Sequence, residues 1–153
     1  MNSTIENRKA RHDYFLLENY EAGIVLLGCK VKSIREGKVN LKDSFARLIK
    51  GEVYLFNCHI APYSHVQSIT GIDPIRTRKL LLNRAEIIRI DTKIKGKGTT
   101  LVPTKMYFKK GHVKVEIALG QGKKAHDKRE TIKRRIHDRE TNQAIKSHQR
   151  RSR

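Results

Sequence analysis

Phe45-Ala46-Arg47-Leu48-Ile49-Lys50-Gly51-Glu52-Val53-Tyr54-Leu55-Phe56 reads as two strands folded back on one tight turn. Lys50-Gly51 supplies the turn, because a two-residue hairpin loop needs a residue that accepts positive φ. In the second strand, which runs on to Ile60, Val53 and Leu55 fall on one face. Tyr54, Phe56 and Cys58 fall on the other. Both faces are apolar, as expected when a barrel interior covers one side and a helix the other.

Further strands lie around this hairpin. Val113, Val115, Ile117 and Leu119 alternate with Lys114, Glu116 and Ala118, a second strand signature. Thr99 to Phe108 precedes it across the hairpin link Lys109-Lys110-Gly111-His112. Tyr14 to Leu17 reads as an opening strand interrupted by Glu21-Ala22-Gly23. Ile24 to Ile34 reads as a long strand running into a basic loop, Arg35 to Lys42. Ala61 to Thr77 holds Pro62, Gly71 and Pro74 and reads as a long loop.

One helix is clear. Asn83 and Glu86 have capping-box spacing, Leu82 and Ile87 the spacing of a hydrophobic staple. Ile87, Ile90 and Ile94 share a face, Lys93, Lys95 and Lys97 enrich the last turn, and Gly96 and Gly98 stop it. A second short helix fits near Ser33 to Gly37. About six short antiparallel strands with one or two helices predict a mainly β body. The OB-fold, a small barrel, is its natural architecture over residues 1–119.

Residues 120–153 differ in kind. They hold 12 Lys or Arg against 4 acids, and their only apolar side chains are Ala125, Ile132, Ile136, Ala144 and Ile145. Such a segment buries too little surface to offset its own ordering entropy, so it is expected to be disordered when free. Asp127 and Glu130 have capping-box spacing, which starts a helix at Lys128 when a polyanion is present. Ile132 and Ile136 share a face, and Glu130 sits four residues before Arg134.

The whole chain carries a formal charge of +19, of which +8 lies in the tail and +11 in the body. A charge this large suits a protein that works on a polyanion. The longest apolar run, Ile24 to Leu27, is too short to span a bilayer, and Met1 to Ile5 lacks the apolar core of a signal peptide. The tail has too few bulky apolar residues for a membrane-surface helix. Nucleic acid in the cytosol is the favoured setting.

No catalytic residues, cofactor site or metal site stand out. Cys29 and Cys58 read as small hydrophobes rather than a disulfide framework, and Cys58-His59 lacks ligand spacing. His12, His59, His65, His112, His126, His137 and His148 are scattered, and Asp13, Asp43, Asp73 and Asp91 are isolated. Gly120-Gln121-Gly122-Lys123-Lys124 lacks the first glycine and the Ser or Thr of a phosphate loop, and reads as a flexible basic hinge. Arg8-Lys9, Arg76-Arg78-Lys79 and Lys123-Lys124 form three basic clusters fit for phosphate. With no Trp and few aromatics beside them, a folded RNA read by shape is favoured over a stacked single strand.

Asn7-Arg8-Lys9-Ala10-Arg11-His12-Asp13-Tyr14-Phe15, Tyr20-Glu21-Ala22-Gly23-Ile24 and Val31-Lys32-Ser33 open a series of motifs. Asn40-Leu41-Lys42-Asp43-Ser44, Asp73-Pro74 and Arg76-Thr77-Arg78-Lys79-Leu80-Leu81-Leu82 continue it. Gly122-Lys123-Lys124 with His126-Asp127-Lys128-Arg129-Glu130 ends it. Together, from Asn7 to the tail, these resemble the bacterial SsrA-binding protein (SmpB) family. The resemblance implies an OB-type barrel that binds the tRNA-like domain of transfer-messenger RNA (tmRNA) as a monomer, one protein per RNA. It implies delivery to ribosomes stalled without a stop codon, with the tail in the small-subunit decoding centre and the vacant mRNA channel.

Carried over residue by residue, RNA-facing positions match Asn7, Glu21, Leu81 and Asn83, with Arg8, Lys9, Arg76, Arg78 and Lys79 beside them. Decoding-centre positions match Gly122, Lys123, Lys124, His126, Asp127, Lys128 and Arg129, followed by Lys133 and Arg134. His126 is expected just before the tail helix, placed to stack on a ribosomal RNA base. Lys30 departs from the family pattern, where relatives often carry Glu. Two alternatives stay open: an OB-fold translation factor with no tmRNA role, and a basic nuclease using His59 or His112 with a nearby Asp.

Overall fold

The computed structural model describes residues 4–63, 71–96 and 98–151. The predicted loop's residues 64–70, with His65, and Lys97 of the predicted last helical turn lie outside them. The chain divides into two units, residues 1–122 and 123–153.

The first unit opens with β1 (Ile5–Glu6), α1 (Arg8–Asp13) and β2 (Tyr14–Ile24). Then come α2 (Gly28–Arg35), β3 (Val39–Asn40), β4 (Phe45–Ile49), β5 (Glu52–Phe56) and β6 (His59–Ile60). It ends with β7 (Arg78–Leu81), α3 (Arg84–Ile94), β8 (Thr99–Lys109) and β9 (His112–Gly122). Seven strands form one antiparallel sheet in the order β1-β8-β4-β5-β7-β2-β9, and β8 also pairs with β9. The pairings therefore run full circle through six strands. Two links are thin: β4 meets β8 only at Ala46 and Leu101, and β2 meets β7 only over Gly23–Leu81 and Ile24–Leu80. The ring is mainly β and antiparallel, as expected, but not closed as a regular barrel.

The opening hairpin forms as read. Lys50 and Gly51 take φ of 49° and 76°, so both central residues of the turn are left-handed, which matches the twist of the flanking strands. Val53 and Leu55 are fully buried. The opposite face is less covered than expected: Tyr54 and Phe56 are half-buried, and Phe56 stacks on Phe45 at 5.3 Å. Asn57, at φ 54°, ends the alternation, and Cys58 turns into the core.

Two strand readings are corrected. Glu21-Ala22-Gly23 does not interrupt β2; Glu21 pairs with Glu116, Ala22 with Val115 and Gly23 with Lys114. The small residues answer to packing. Ala22 is fully buried, and a Cβ at Gly23 would lie 3.2 Å from Leu81 Cβ. Ile24 to Ile34 is not one strand, because the chain turns into α2 at Gly28. Lys30, Ser33 and Ile34 are its buried positions, a helical i, i+3, i+4 spacing in which a lysine hides the pattern.

The helix after Asn83 forms as expected, with the reciprocal capping box of Asn83 and Glu86. Ile90 is fully buried, and Ile87, Ile94 and Leu82 pack against the core. Glu18 of β2 binds Lys93 and Arg89, which ties α3 to the sheet.

Gly120 to Gly122 is strand rather than hinge. Gly120 pairs with Leu16 and Thr100, Gln121 with Phe15 and Thr99, and Gly122 with Tyr14. A Cβ at Gly120 would meet Tyr14 Cβ at 3.1 Å and the Tyr14 ring at 3.2 Å, so the glycine admits a close approach.

The second unit is a single helix, α4 (Ala125–Arg151), about 40 Å long. Composition alone predicts disorder here. The residues expected to become helical on a polyanion form this helix, whose hydrogen bonds close within the segment. It also starts three residues before the expected Lys128. Asp127 sits inside the first turn, and its carboxylate accepts from the Lys124 backbone N–H at 3.1 Å. Thr131 Oγ1 donates to the Asp127 carbonyl, and Lys123 Nζ reaches Thr131. Ile132, Ile136 and Ile145 stay about half exposed.

Candidate nucleic-acid interface

Side chains alternate across a strand, so Lys79 and Leu81 of β7 share the outer face, beside Tyr54 of β5. Gly23 of β2 lies beneath Leu81, and Glu21 follows two residues away on the same face. The bare Gly23 backbone seats Leu81, which remains 51% exposed. Asn83 continues from β7 into the exposed first turn of α3. Four residues expected to face RNA, Glu21, Lys79, Leu81 and Asn83, thus come together on neighbouring strands and one helix start.

The face holds a concavity of about 550 Å³ between β7 and α3. Leu80, Leu81, Leu82 and Ile88 form its floor, and Lys79 and Arg84 lie on its rim.

The acids on this face are paired. Glu21 accepts from the Tyr107 hydroxyl at 2.5 Å and from Lys109 Nζ at 2.9 and 3.0 Å. The Tyr107 bond and then the Lys109 bond hold the Glu21 carboxyl below the usual range. Burial, aided by Glu21, pushes the Tyr107 phenol up to about 12. Glu52 accepts from Lys79 at 2.5 Å and from Tyr54 at 2.7 Å, which lowers its pKa and raises that of Lys79. Glu116 pairs with Lys105 at 3.0 Å. These contacts fix lysine and tyrosine heads in place.

Other expected contacts lie elsewhere. Asn7 is 6% exposed, and its hydrogen-bonding groups are used internally. Its Nδ2 donates to the Leu41 and Pro103 carbonyls at 2.9 Å, and its Oδ1 caps α1 at the Ala10 N–H. Its backbone N–H binds the Thr104 carbonyl. Asn7 is a clamp joining three segments, not an exposed RNA contact. Arg78 is 2% exposed and grips the Cys58, Arg76 and Pro74 carbonyls at 2.7–3.0 Å. It shapes the approach to β7 from inside. Arg76, beside it, is half-buried.

Arg8 and Lys9 are exposed on α1, which packs on β8 and the start of β2. Nine residues of β2 separate that end from Gly23, about 30 Å. With Lys42 they line a separate hollow of about 310 Å³. Lys9 binds Asp43 at 2.6 Å, which lowers the Asp43 pKa.

In the tail, Gly122 ends β9, and Lys123 and Lys124 lead into α4. His126, expected before the helix, is inside its first turn, with Nε2 3.2 Å from Glu130. Asp127, Lys128, Arg129, Lys133 and Arg134 follow on the first turns. Sequence reading missed Tyr107, Lys109, Glu52 and Tyr54. The register that sets Glu21 opposite Glu116, and Tyr107 opposite Lys114, is what brings the first two to Glu21.

Among the described residues, no three His, Cys, Asp or Glu are grouped to hold a metal. His59 and His112 have no carboxylate within ion-pair distance there. No described helix is long and apolar enough to cross a membrane.

The family model described as SmpB protein matches residues 4–147. The chain belongs to the SmpB family. The SsrA-binding protein of Thermoanaerobacter pseudethanolicus is 62% identical over 130 residues, 85% of this chain and 83% of that protein. The SsrA-binding protein of Synechococcus elongatus is 55% identical over 141 residues, 92% of each chain. A solved SmpB-family structure, described as "tmRNA-SmpB: a journey to the center of the bacterial ribosome", superposes with a TM-score of 0.67 at 54% identity. That match covers 80% of this chain and 85% of the other.

Proposed function

We propose that this protein is a non-enzymatic, cytoplasmic adaptor of trans-translation. It binds the tRNA-like domain of tmRNA as a monomer, carries it to ribosomes stalled without a stop codon, and places α4 in the decoding centre and empty mRNA channel. Membership of the SmpB family supports the reading, as does the partner named in its solved relative's description. The observation that carries the site assignment is the shared outer face of Glu21, Lys79, Leu81 and Asn83. On this reading the body, residues 1–122, grips RNA. The cations Lys123, Lys124, Lys128, Arg129, Lys133 and Arg134, with Gly122, His126 and Asp127, serve the ribosomal end. Arg8 and Lys9 add phosphate contacts from the separate α1 surface, and Arg76 lies beside the main face. Asn7 and Arg78 act from within, by holding segments in register.

A gel shift with purified tmRNA and ordinary tRNA as competitor tests the reading. We expect tmRNA to be retained under a large excess of tRNA, with affinity falling about a thousandfold from roughly 50 to 200 mM salt if six or more phosphates are neutralised. Equal competition by tRNA would reject tmRNA as the specific partner.

A further inference from the structure

Behind β7, Lys30 and Arg78 hold the nearby Ile60 and Cys58 carbonyls, and Arg78 also holds the carbonyl of Arg76. Lys30 and Arg78 are each only 2% exposed. Lys30 Nζ makes one hydrogen bond, to the Ile60 carbonyl at 2.9 Å. Arg78 satisfies its two outer nitrogens on carbonyls, but its buried Nε has no partner, and neither does the buried Nε of Arg76. Among the described residues, no carboxylate lies within ion-pair distance of Lys30, Arg76 or Arg78. Residues 64–70 contain no Asp or Glu in their sequence. The other titratable groups facing Lys30 are Cys29 on its own helix and Asp73, whose Oδ1 is engaged by the Ile75 N–H. The Cys58 thiol beside Arg78 is pushed by burial up to about 11 and stays neutral.

Three clustered cations face one carboxylate, Asp73, which lies beyond ion-pair distance, and the cluster keeps a surplus of donors over acceptors. Two remedies exist. Lys30 can shed its proton, a tendency favoured by its burial and by Arg78. That remedy leaves the Arg78 charge in place, since a guanidinium does not titrate, and leaves both Nε donors unmatched. An anion answers charge and donors together.

We propose that Lys30, Arg76 and Arg78 form an internal site for one small inorganic anion of the chloride or phosphate class. An RNA phosphate is carried on a polymer and does not reach Lys30 and Arg78, each 2% exposed. The site lies where the Cys58 and Ile60 carbonyls meet the chain leading into β7, so its occupancy steadies the segment that presents Lys79 and Leu81.

The test uses the full chain without RNA. Thermal unfolding is followed while chloride, and separately phosphate, replaces gluconate at fixed ionic strength and pH. We expect the wild-type midpoint to rise by about 3 °C or more on saturation. Lys30→Glu brings its own carboxylate and should show a raised midpoint with no anion response. Lys30→Met should also lose the response, and it tests the site without adding a charge. The same anion dependence in all three proteins would place the effect on the outer surface and overturn the proposal. A wild-type midpoint indifferent to anions but rising with pH relative to Lys30→Met would overturn it too, by identifying Lys30 as a neutral amine.

Discussion

The Tyr107 hydroxyl donates to the Glu21 carboxylate across two strands that do not pair with each other, at 2.5 Å. β9 lies between them, and its register brings both residues to one outer surface. The contact gives an acid a use on the surface proposed to face RNA: Glu21 locks a tyrosine and a lysine, and one carboxylate oxygen accepts from both. Because the Glu21 pKa is lowered, the unfolded chain binds more protons than the folded one as pH falls through the ordinary carboxylate value. The lock is therefore intact above that value and lost as pH falls through the lowered one. Tyr107→Phe removes the largest cause of the shift, so the Glu21 titration should move up. A carboxyl carbon NMR titration measures this, and tmRNA affinity should drop several-fold at neutral pH in the same variant.

Asn7 gives a contrasting outcome. Its side chain caps α1 and bridges two buried carbonyls, so Asn7→Ala should cost about 2–4 kcal/mol in urea unfolding. Below the unfolding transition, tmRNA affinity should stay within about threefold of wild type, as expected for an internal clamp. A loss of affinity with unchanged stability would return Asn7 to the RNA surface.

Gly23 tests the seat under Leu81. Gly23→Val places methyl groups where Leu81 Cβ would already be 3.2 Å from the new Cβ, and the strained packing should cost about 1–3 kcal/mol. The displaced Leu81 should also weaken tmRNA binding. Filter binding and urea unfolding together separate these two effects. Gly23→Ala should show the same signs at smaller size, since Leu81 need yield only slightly.

How much of this was legible in the residues varies with the kind of signal. The Lys50-Gly51 turn and the Asn83–Glu86 box are local, and both formed as read. In α2, Lys30 occupies a buried position, which breaks the apolar pattern that marks a helix. Glu21-Ala22-Gly23 looked like a break because small residues serve turns and close packing alike. At the site, Glu21 and Leu81 were carried by family resemblance. Tyr107 and Lys109 depend on pairing register between distant strands, which composition and spacing do not reveal. Arg78 looked like a surface cation within a basic run, yet its head turns inward to three carbonyls.

The last prediction concerns where the tail can be cut. The glycine-rich composition of residues 120–122 suggests a dispensable linker, but these residues complete the ladders of β9 with β2 and β8. Removing residues 123–153 should leave those ladders whole, so the truncated body should keep its unfolding midpoint and most of its tmRNA affinity while failing to support tagging in a reconstituted translation assay. Removing residues 120–153 takes away the partners of Tyr14, Phe15 and Leu16 as well, and exposes the edges of two long strands. That shorter body should unfold at lower urea than the one ending at Gly122, and its tmRNA affinity should fall with its stability. Equal stability of the two truncations would mean that the last three residues of β9 contribute nothing to the body. Loss of tmRNA binding in the longer one would reject the assignment of RNA capture to residues 1–122.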